Sequence, residues 1–450
     1  MNELEQSVTD AIAAGREELV RIVADLVGFD TTAREPADPP RQEADLQRYL
    51  ADRLAAAGAS IDLWEPKEGS LGSPRQVPTG LAFGGRPQLA ATFAGTGGGR
   101  SLLVNGHIDA VTPDPIDAWT SDPWKAERRD GKLYGVGASD MKSGVACMAY
   151  AAEMLARLGV RLQGDLIVHT NTDEESSGSG SIAGVQHGLR ADAGICTEPT
   201  PGEIWVACRG SMSLTVSVAG RAGHAEIEHP HWRDGGAVNA VDKASILMDA
   251  IRELDVEWQA RPARTHSYLP PATIMTTVIN GGTWYVIYPA SCTFTVNMLY
   301  LPADADAEGW GTEMARQVEE RLLAAAATDE WLAENPPKFE WGPDLPPFEV
   351  DETSPIVETL GATAADLGAP QPLGGLASWF DAASFTRAGA CPMVGFGAGT
   401  AGRPFEGHKA DESIVIDDLV RCAQTLAVTA MRWCGVAVES GGSQCAQPGE

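Results

Sequence analysis

No apolar run in the 450-residue chain is long enough to cross a membrane. The longest, Val145–Ala152, falls well short of the roughly 18–20 residues that a spanning helix requires. Positive charge is also scarce: 33 Lys and Arg stand against 62 Asp and Glu, for a formal net charge of −29. A nucleic-acid groove and an anionic membrane surface would both repel such a chain, so neither is expected as a partner. Cysteine is thinly spread. The 8 residues, Cys147, Cys196, Cys208, Cys292, Cys391, Cys422, Cys434 and Cys445, include no CxxC pair, which removes a zinc finger from consideration and leaves reduced, mostly buried thiols. The acidic opening Met1-Asn2-Glu3-Leu4-Glu5 leads straight into a helical pattern and has no signal-peptide signature, so a cytoplasmic location is expected.

What is present is the composition of a folded protein, 44% apolar and 21% charged. The length exceeds what one compact core normally fills, which predicts two domains. Leu19, Ile22, Val23, Leu26 and Val27 form one stripe of an early helix. A second helix carries Leu46, Tyr49, Leu50 and Leu54, and Gly58 stands where a left-handed cap belongs. Residues 65–87 are rich in Gly and Pro and read as a surface insertion. Apolar strands at Leu102–Val104, Asp165–Thr170 and Ala193–Cys196 then alternate with a helix over Ser143–Leu158, the pattern of an α/β sheet with helices on its faces. Past Arg209 the texture changes. Met212–Val218, Thr273–Ile279 and Cys292–Leu301 alternate like half-buried strands, with helical stretches at Ala237–Leu254 and Ala307–Ala326. The expected organisation is a catalytic α/β domain in two parts, 1–208 and 346–437, with an α+β domain, 209–345, inserted between them. Helices at Ser354–Leu367 and Ile416–Trp433 and a strand at Met393–Phe396 belong to the second part. The tail 438–450 is expected to be disordered.

Five acidic or histidine motifs fall at strand ends of the α/β part. Asn105-Gly106-His107-Ile108-Asp109 closes a strand, and residues two apart on a strand face the same side, so His107 and Asp109 can meet. A carboxylate that orients a metal-bound imidazole is a common arrangement, although an isolated His-x-Asp is more often structural. Gly135-Val136-Gly137-Ala138-Ser139-Asp140 is a glycine turn entering a helix. It lacks the full phosphate-loop pattern, and an aspartate there suits a cation better than a phosphate. Asp173-Glu174-Glu175 follows another strand, where adjacent carboxylates are usually a solvated turn. Glu198-Pro199-Thr200 closes a fourth strand, and Gly407-His408 lies just after a fifth. Ligands of open α/β sheets sit beyond such ends. Two imidazoles with several carboxylates favour zinc, with manganese or cobalt as alternatives.

The order His107-x-Asp109, Gly-x-Gly-Ala-Ser-Asp140-Met-Lys, Asp-Glu174-Glu175, Glu198-Pro-Thr and His408-Lys-Ala-Asp-Glu412 resembles the M20 metallopeptidase family. That family includes acetylornithine deacetylase, succinyl-diaminopimelate desuccinylase, aminoacylase and glutamate carboxypeptidase. The likeness runs over about residues 15–435 and takes in Trp119-x-x-Asp-Pro-Trp124 and Gly223-His224. It implies a metal-dependent exopeptidase-like fold, a mixed sheet flanked by helices plus an inserted lid and dimerisation domain. It also implies two divalent ions bridged by Asp140, one adding His107 and Glu198, the other Glu175 and His408. Glu174 would be the general base, Asp109 would be a catalytic residue beside His107, and a cis peptide bond would follow Asp140. His224 would reach the site of a partner subunit and donate to the oxyanion, making the homodimer the active unit; its bland alternative is a loop histidine capping a turn.

The sequence departs from the family where a substrate carboxylate is normally held. In Gly281–Pro289, Val286 stands in place of the expected asparagine, and in Asn297–Pro302, Leu299 replaces the expected arginine. Leucine cannot form the bidentate fork that recognises a carboxylate. Trp284 and Tyr285, with Tyr288, are candidates for an aromatic rim, and Arg403 for a replacement cation. His229-Pro230-His231 has metal-pair spacing but sits in a polar loop, and mid-strand His169 reads as core. The resulting expectation is a di-metal hydrolase that cuts the amide bond of a small N-acyl amine or N-acyl amino-acid-like substrate. A dipeptidase or carboxypeptidase is the alternative within the family, and a non-catalytic metal-binding protein or an acidic scaffold subunit the alternative outside it.

Overall fold

The stripe Leu19, Ile22, Val23, Leu26 and Val27 lies on the helix Arg16–Val27 and is buried throughout. A computed structural model describes the chain except residues 34–37, 68, 70, 72–74, 79, 262–263, 400–401, 404 and 438–450. The tail expected to be disordered, and Cys445 with it, lies outside the described residues. The helix Lys142–Arg157 is mostly apolar and is buried from Lys142 to Leu155, as a helix sandwiched between sheet and outer helices is expected to be. The long helix Ile416–Cys434 packs on it, and Glu3–Ala14 packs on that helix in turn.

These helices cover a nine-stranded mixed sheet. Its spatial order is Ser60–Trp64, Gln88–Phe93, Leu166–Asn171, Leu102–His107, Ala193–Cys196, Met393–Gly395, Ile204–Cys208 and Phe348–Glu349, with Leu373–Leu376 paired to Ile204–Cys208. The four central strands, Leu166–Asn171 through Met393–Gly395, run parallel. Their carboxyl ends therefore open on one edge, where His107 ends one strand and Glu174 and Glu198 lie just beyond two others. A small three-stranded sheet, Glu127–Arg129, Lys132–Tyr134 and Ser413–Val415, sits beside that edge.

A second sheet is built wholly from residues between Gly210 and Leu345, in the order Thr273–Gly281, Ser291–Tyr300, Gly210–Ala219, Lys338–Leu345. All its pairings are antiparallel. Met212, Leu214, Val216 and Val218 face a separate apolar core with the helices Ala240–Gln259 and Thr312–Ala326. This is the inserted α+β domain.

Several elements differ from their sequence-based outlines. The helix expected from Ala307 begins at Thr312 because Asp306 captures the N–H groups of Glu308 and Trp310 at 3.1 and 2.8 Å and holds a turn through Gly309. The helix expected from Ala237 begins at Ala240, where Asn239 accepts the N–H of Val241. Residues 65–87 are only partly a surface insertion: Leu81, Phe83 and Arg86 are buried. A buried arginine needs acceptors, and Arg86 finds the carbonyls of Ala82 and Asp38 and the Glu43 carboxylate.

Candidate active site

The two oxygens of Asp140 face two different imidazoles. Oδ1 lies 3.1 Å from His107 Nε2 and Oδ2 lies 3.2 Å from His408 Nε2. Glu198 Oε1 approaches His107 Nε2 at 3.8 Å, and Glu175 Oε1 approaches His408 Nε2 at 3.1 Å. His107, Asp140 and Glu198 form one group able to hold a metal ion, and Asp140, Glu175 and His408 a second that shares the aspartate. Glu174, next in sequence to Glu175, turns the other way, with Oε2 3.9 Å from His107 Nε2. The Asp140–Met141 peptide bond is cis.

Asp109 holds the pair of glutamates from below. Its carboxylate accepts the N–H of Glu174 at 3.3 Å and of Glu175 at 3.1 Å, which caps the short helix Glu174–Ser177 where negative charge is favoured. The expected contact with His107 takes a different form. The nearer partner of His107 Nδ1 is the main-chain carbonyl of Asp109 at 2.9 Å, and the carboxylate stands off at 3.6 Å. Either acceptor calls for a proton on Nδ1, and Nε2 faces the acidic cluster, 3.1 Å from Asp140.

The electrostatics describe a site short of positive charge. Burial, reinforced by neighbouring carboxylates, pushes Glu174 and Glu198 well above the usual carboxylate range and Glu175 up to about 7. Burial works against a charged His107, yet its bonds to Asp109 and Asp140 lift its pKa well above the ordinary value. Asp140 and Glu175 hold His408 up at about 10. Burial would raise Asp140, but the two imidazoles outweigh it and keep its carboxyl low. Glu198 Oε1 is buried with no hydrogen-bond partner among the described residues. A buried carboxylate oxygen without a hydrogen bond among the described residues, with the His107 imidazole at 3.8 Å, fits a divalent cation.

A cavity of about 580 Å³ opens over the cluster. Asp140, Glu174, Glu175, Glu198 and His408 form its floor, and Arg403 stands on its wall. His224, Trp284 and Tyr285 are not among the lining residues. All three are exposed on the inserted domain, where His224 bridges to Ile287 and its Nδ1 accepts the N–H of Glu226 at 3.2 Å. Sequence reasoning missed the apolar wall formed by Trp205, Leu376, Trp379 and Phe380. It also missed Asp381, buried beneath the site, which accepts from Asn171 Nδ2 at 2.6 Å and which burial pushes up to about 6. The run Trp379-Phe380-Asp381 after two glycines was the only available signal. His169 is fully buried, with burial pushing its pKa down to about 3, as a core histidine should be. His229 and His231 bond to neighbouring main chain, His229 to the His224 carbonyl and His231 to the N–H of Arg233.

The profile of peptidase family M20/M25/M40 matches residues 103–432. The chain belongs to that family. Its members are hydrolases of amide bonds, and so is this M20 protein. It is 26% identical over 441 residues to an N-formyl-4-amino-5-aminomethyl-2-methylpyrimidine deformylase of Halalkalibacterium halodurans, a match covering 93% of this chain and 95% of the deformylase. Human carnosine dipeptidase 1 superposes with a TM-score of 0.74 at 17% identity, over 96% of this chain and 99% of the dipeptidase. A dinuclear metal-binding M20 peptidase of Bacillus subtilis gives a TM-score of 0.61 at 15% identity, over 94% and 99% of the two chains. The two structural likenesses establish the shared fold, a helix-flanked mixed sheet with an inserted α+β domain.

Proposed function

We propose that this M20 hydrolase is a two-zinc deacylase that removes a small acyl group from an amine bearing an aromatic or apolar body and no carboxylate. The observation that carries the reading is the pair of ligand groups joined at Asp140, with Glu174 beside them on the cavity floor. One ion would be held by His107, Asp140 and Glu198, the other by Asp140, Glu175 and His408. Imidazole and carboxylate donors suit Zn²⁺, with Co²⁺ or Mn²⁺ able to replace it. Bound there, a pair of divalent ions lowers the pKa of an attacking water and offsets negative charge developing on the carbonyl oxygen. Glu174 takes the water's proton and delivers it to the departing amine. Asp109 fixes the main chain of Glu174, so the base is held before substrate arrives. His224 of a second copy donates to the oxyanion, and the homodimer forms through the inserted domain. A cytoplasmic location accords with seven buried free thiols among the described residues.

The choice of amine rests on the cavity wall. Trp205, Leu376, Trp379 and Phe380 offer aromatic and aliphatic surface beside Glu174 and Glu198, and the usual carboxylate fork is replaced by Leu299. The 26%-identical relative is a deformylase named for a pyrimidine amine. Arg403 is exposed at the cavity rim, and Lys132 also lines the cavity. The test is a panel of N-formyl and N-acetyl arylmethylamines, N-acyl amino acids and dipeptides, with Glu174→Ala as the blank. Carboxylate-free amides should turn over roughly tenfold or more faster in kcat/KM, the discrimination that one binding contact supplies. Faster turnover of dipeptides would make the protein a dipeptidase instead.

A further inference from the structure

Glu412 is four residues beyond His408 and almost wholly buried, and its carboxylate is committed to main chain alone. Oε1 accepts the N–H of Ser139 at 2.8 Å and of Asp140 at 2.9 Å, and Oε2 accepts that of Gly137 at 3.0 Å. Its own carbonyl accepts the N–H of Gly135 at 3.1 Å. One residue thus ties down nearly the whole turn that presents Asp140. The strand Ser413–Val415, which follows it, pairs with Lys132–Tyr134, which leads into that turn. On the other side, Asp411 accepts the N–H of Thr120 at 2.9 Å, and both Asp411 and His408 take left-handed backbone conformations. The His408–Ser413 segment is a bent strap, and Glu412 is the pin that fastens it to the Asp140 turn.

We infer that Glu412 is a positioning residue that sets the spacing between Asp140 and His408, and so the affinity of the second metal position. The inference rests on the two-metal reading above. The two positions differ in how they are built. His107 ends a central sheet strand, and Glu198 lies two residues past another, so the sheet holds the two ligands of the first group that are not shared with the second. Asp140 and His408 lie on separate segments that meet through Glu412, so the second group straddles a joint. A glutamine cannot reproduce the pin. Its oxygen can still accept two N–H groups, but its amide then presents donors to a third N–H, which leaves a buried donor unsatisfied.

The experiment is calorimetric titration of Zn²⁺ into metal-stripped protein, paired with the absorption spectrum of the Co²⁺-loaded form. Wild type, Glu412→Gln and Glu412→Asp are compared, with folding followed by circular dichroism. Wild type should take up two ions. Glu412→Gln should bind the first ion as wild type does and the second about 10–100-fold more weakly, the usual cost of losing a group that orients a ligand. Its cobalt spectrum should change, and kcat should fall more than KM rises. Should Glu412→Gln not fold, Glu412→Asp, which keeps the charge but shortens the reach, carries the same expectation. Two ions bound with wild-type affinities and an unchanged spectrum, in whichever variant folds, overturn the role. Equal weakening of both ions also overturns it, because Glu412 would then act on Asp140 alone. A wild-type protein that binds no ion brings down the two-metal reading itself.

Discussion

Glu174 and Glu175 share a peptide bond and donate their N–H groups to the same anchor, Asp109, yet their carboxylates lie against different imidazoles. That divergence separates proton transfer from cation binding, and it predicts unlike mutants. Glu174→Ala should lower kcat by roughly 10²–10⁴-fold, the worth of a placed general base, while metal analysis still finds two ions per chain. Loss of an ion in that variant would make Glu174 a ligand and not the base. A second outcome follows from the raised carboxyl groups. Glu174, Glu175 and Glu198 hold protons more tightly folded than unfolded, so in metal-stripped protein their contribution to stability is complete below the unfolded carboxylate range. The share of Glu175 is lost as pH rises through about 7, and those of Glu174 and Glu198 as pH rises through their own raised values. Divalent ions need those protons gone. The Tm difference between loaded and stripped protein should therefore widen from about pH 5 to about pH 8; a constant or shrinking gap would refute the charge-shortage account. Most of the cluster was legible beforehand, because His107, Asp140, Glu175 and Glu198 each close a strand, follow one closely or enter a helix on one edge of the sheet; His408, expected just after a strand, instead lies on the loop between Met393–Gly395 and Ser413–Val415. The work of Glu412 was not: it ends the His408-Lys-Ala-Asp-Glu412 motif, but nothing in that spacing shows that its carboxylate bonds to the main chain of the Asp140 turn.

At the scale of elements, the helix Lys142–Arg157 is seated directly on the metal-bearing edge. A methyl group on Gly144 would stand 2.0 Å from the carbonyl oxygen of Thr197, the residue before Glu198. Alanine normally improves a helix by roughly 1 kcal/mol over glycine. Here the opposing atom is main chain and cannot swing aside, so overpacking of about 1–3 kcal/mol should win. Gly144→Ala is expected to melt earlier than wild type and to bind the ion at His107, Asp140 and Glu198 less tightly; an unchanged or higher Tm would show that helix and strand end can part without cost. The long apolar helices and central strands were readable because their length leaves a clear period. Lys338–Leu345 was not, since Gly342-Pro343 interrupts it and its pairing shifts between Trp341 and Asp344. The three-residue strands beside the site are too short to show alternation, and although Glu127–Arg129 and Lys132–Tyr134 pair locally, the third strand, Ser413–Val415, comes from far away in sequence.

For the whole molecule, the inserted domain leaves one flank open. Thr273–Gly281 is an edge strand that exposes Met275, Val278 and Ile279, with Ile227, Trp284, Tyr285 and Ile287 exposed on the same domain. An apolar edge of that kind is a liability in a lone chain and a natural seam between two copies. If the copies join there, Ile279→Lys should move the protein from dimer to monomer on sizing and depress activity at the same time, because His224 lies on that domain and does not line the cavity of its own chain. The trans arrangement has a sharper consequence. Glu174→Ala and His224→Ala homodimers should each be nearly inactive, yet subunit exchange between them pairs an intact base in one chain with an intact histidine in the other. Each hybrid dimer then has one complete site, and random exchange makes about half the dimers hybrids, so about a quarter of wild-type activity should return. A histidine that serves its own chain gives no recovery at any mixing ratio, because every site would still lack one of the two groups.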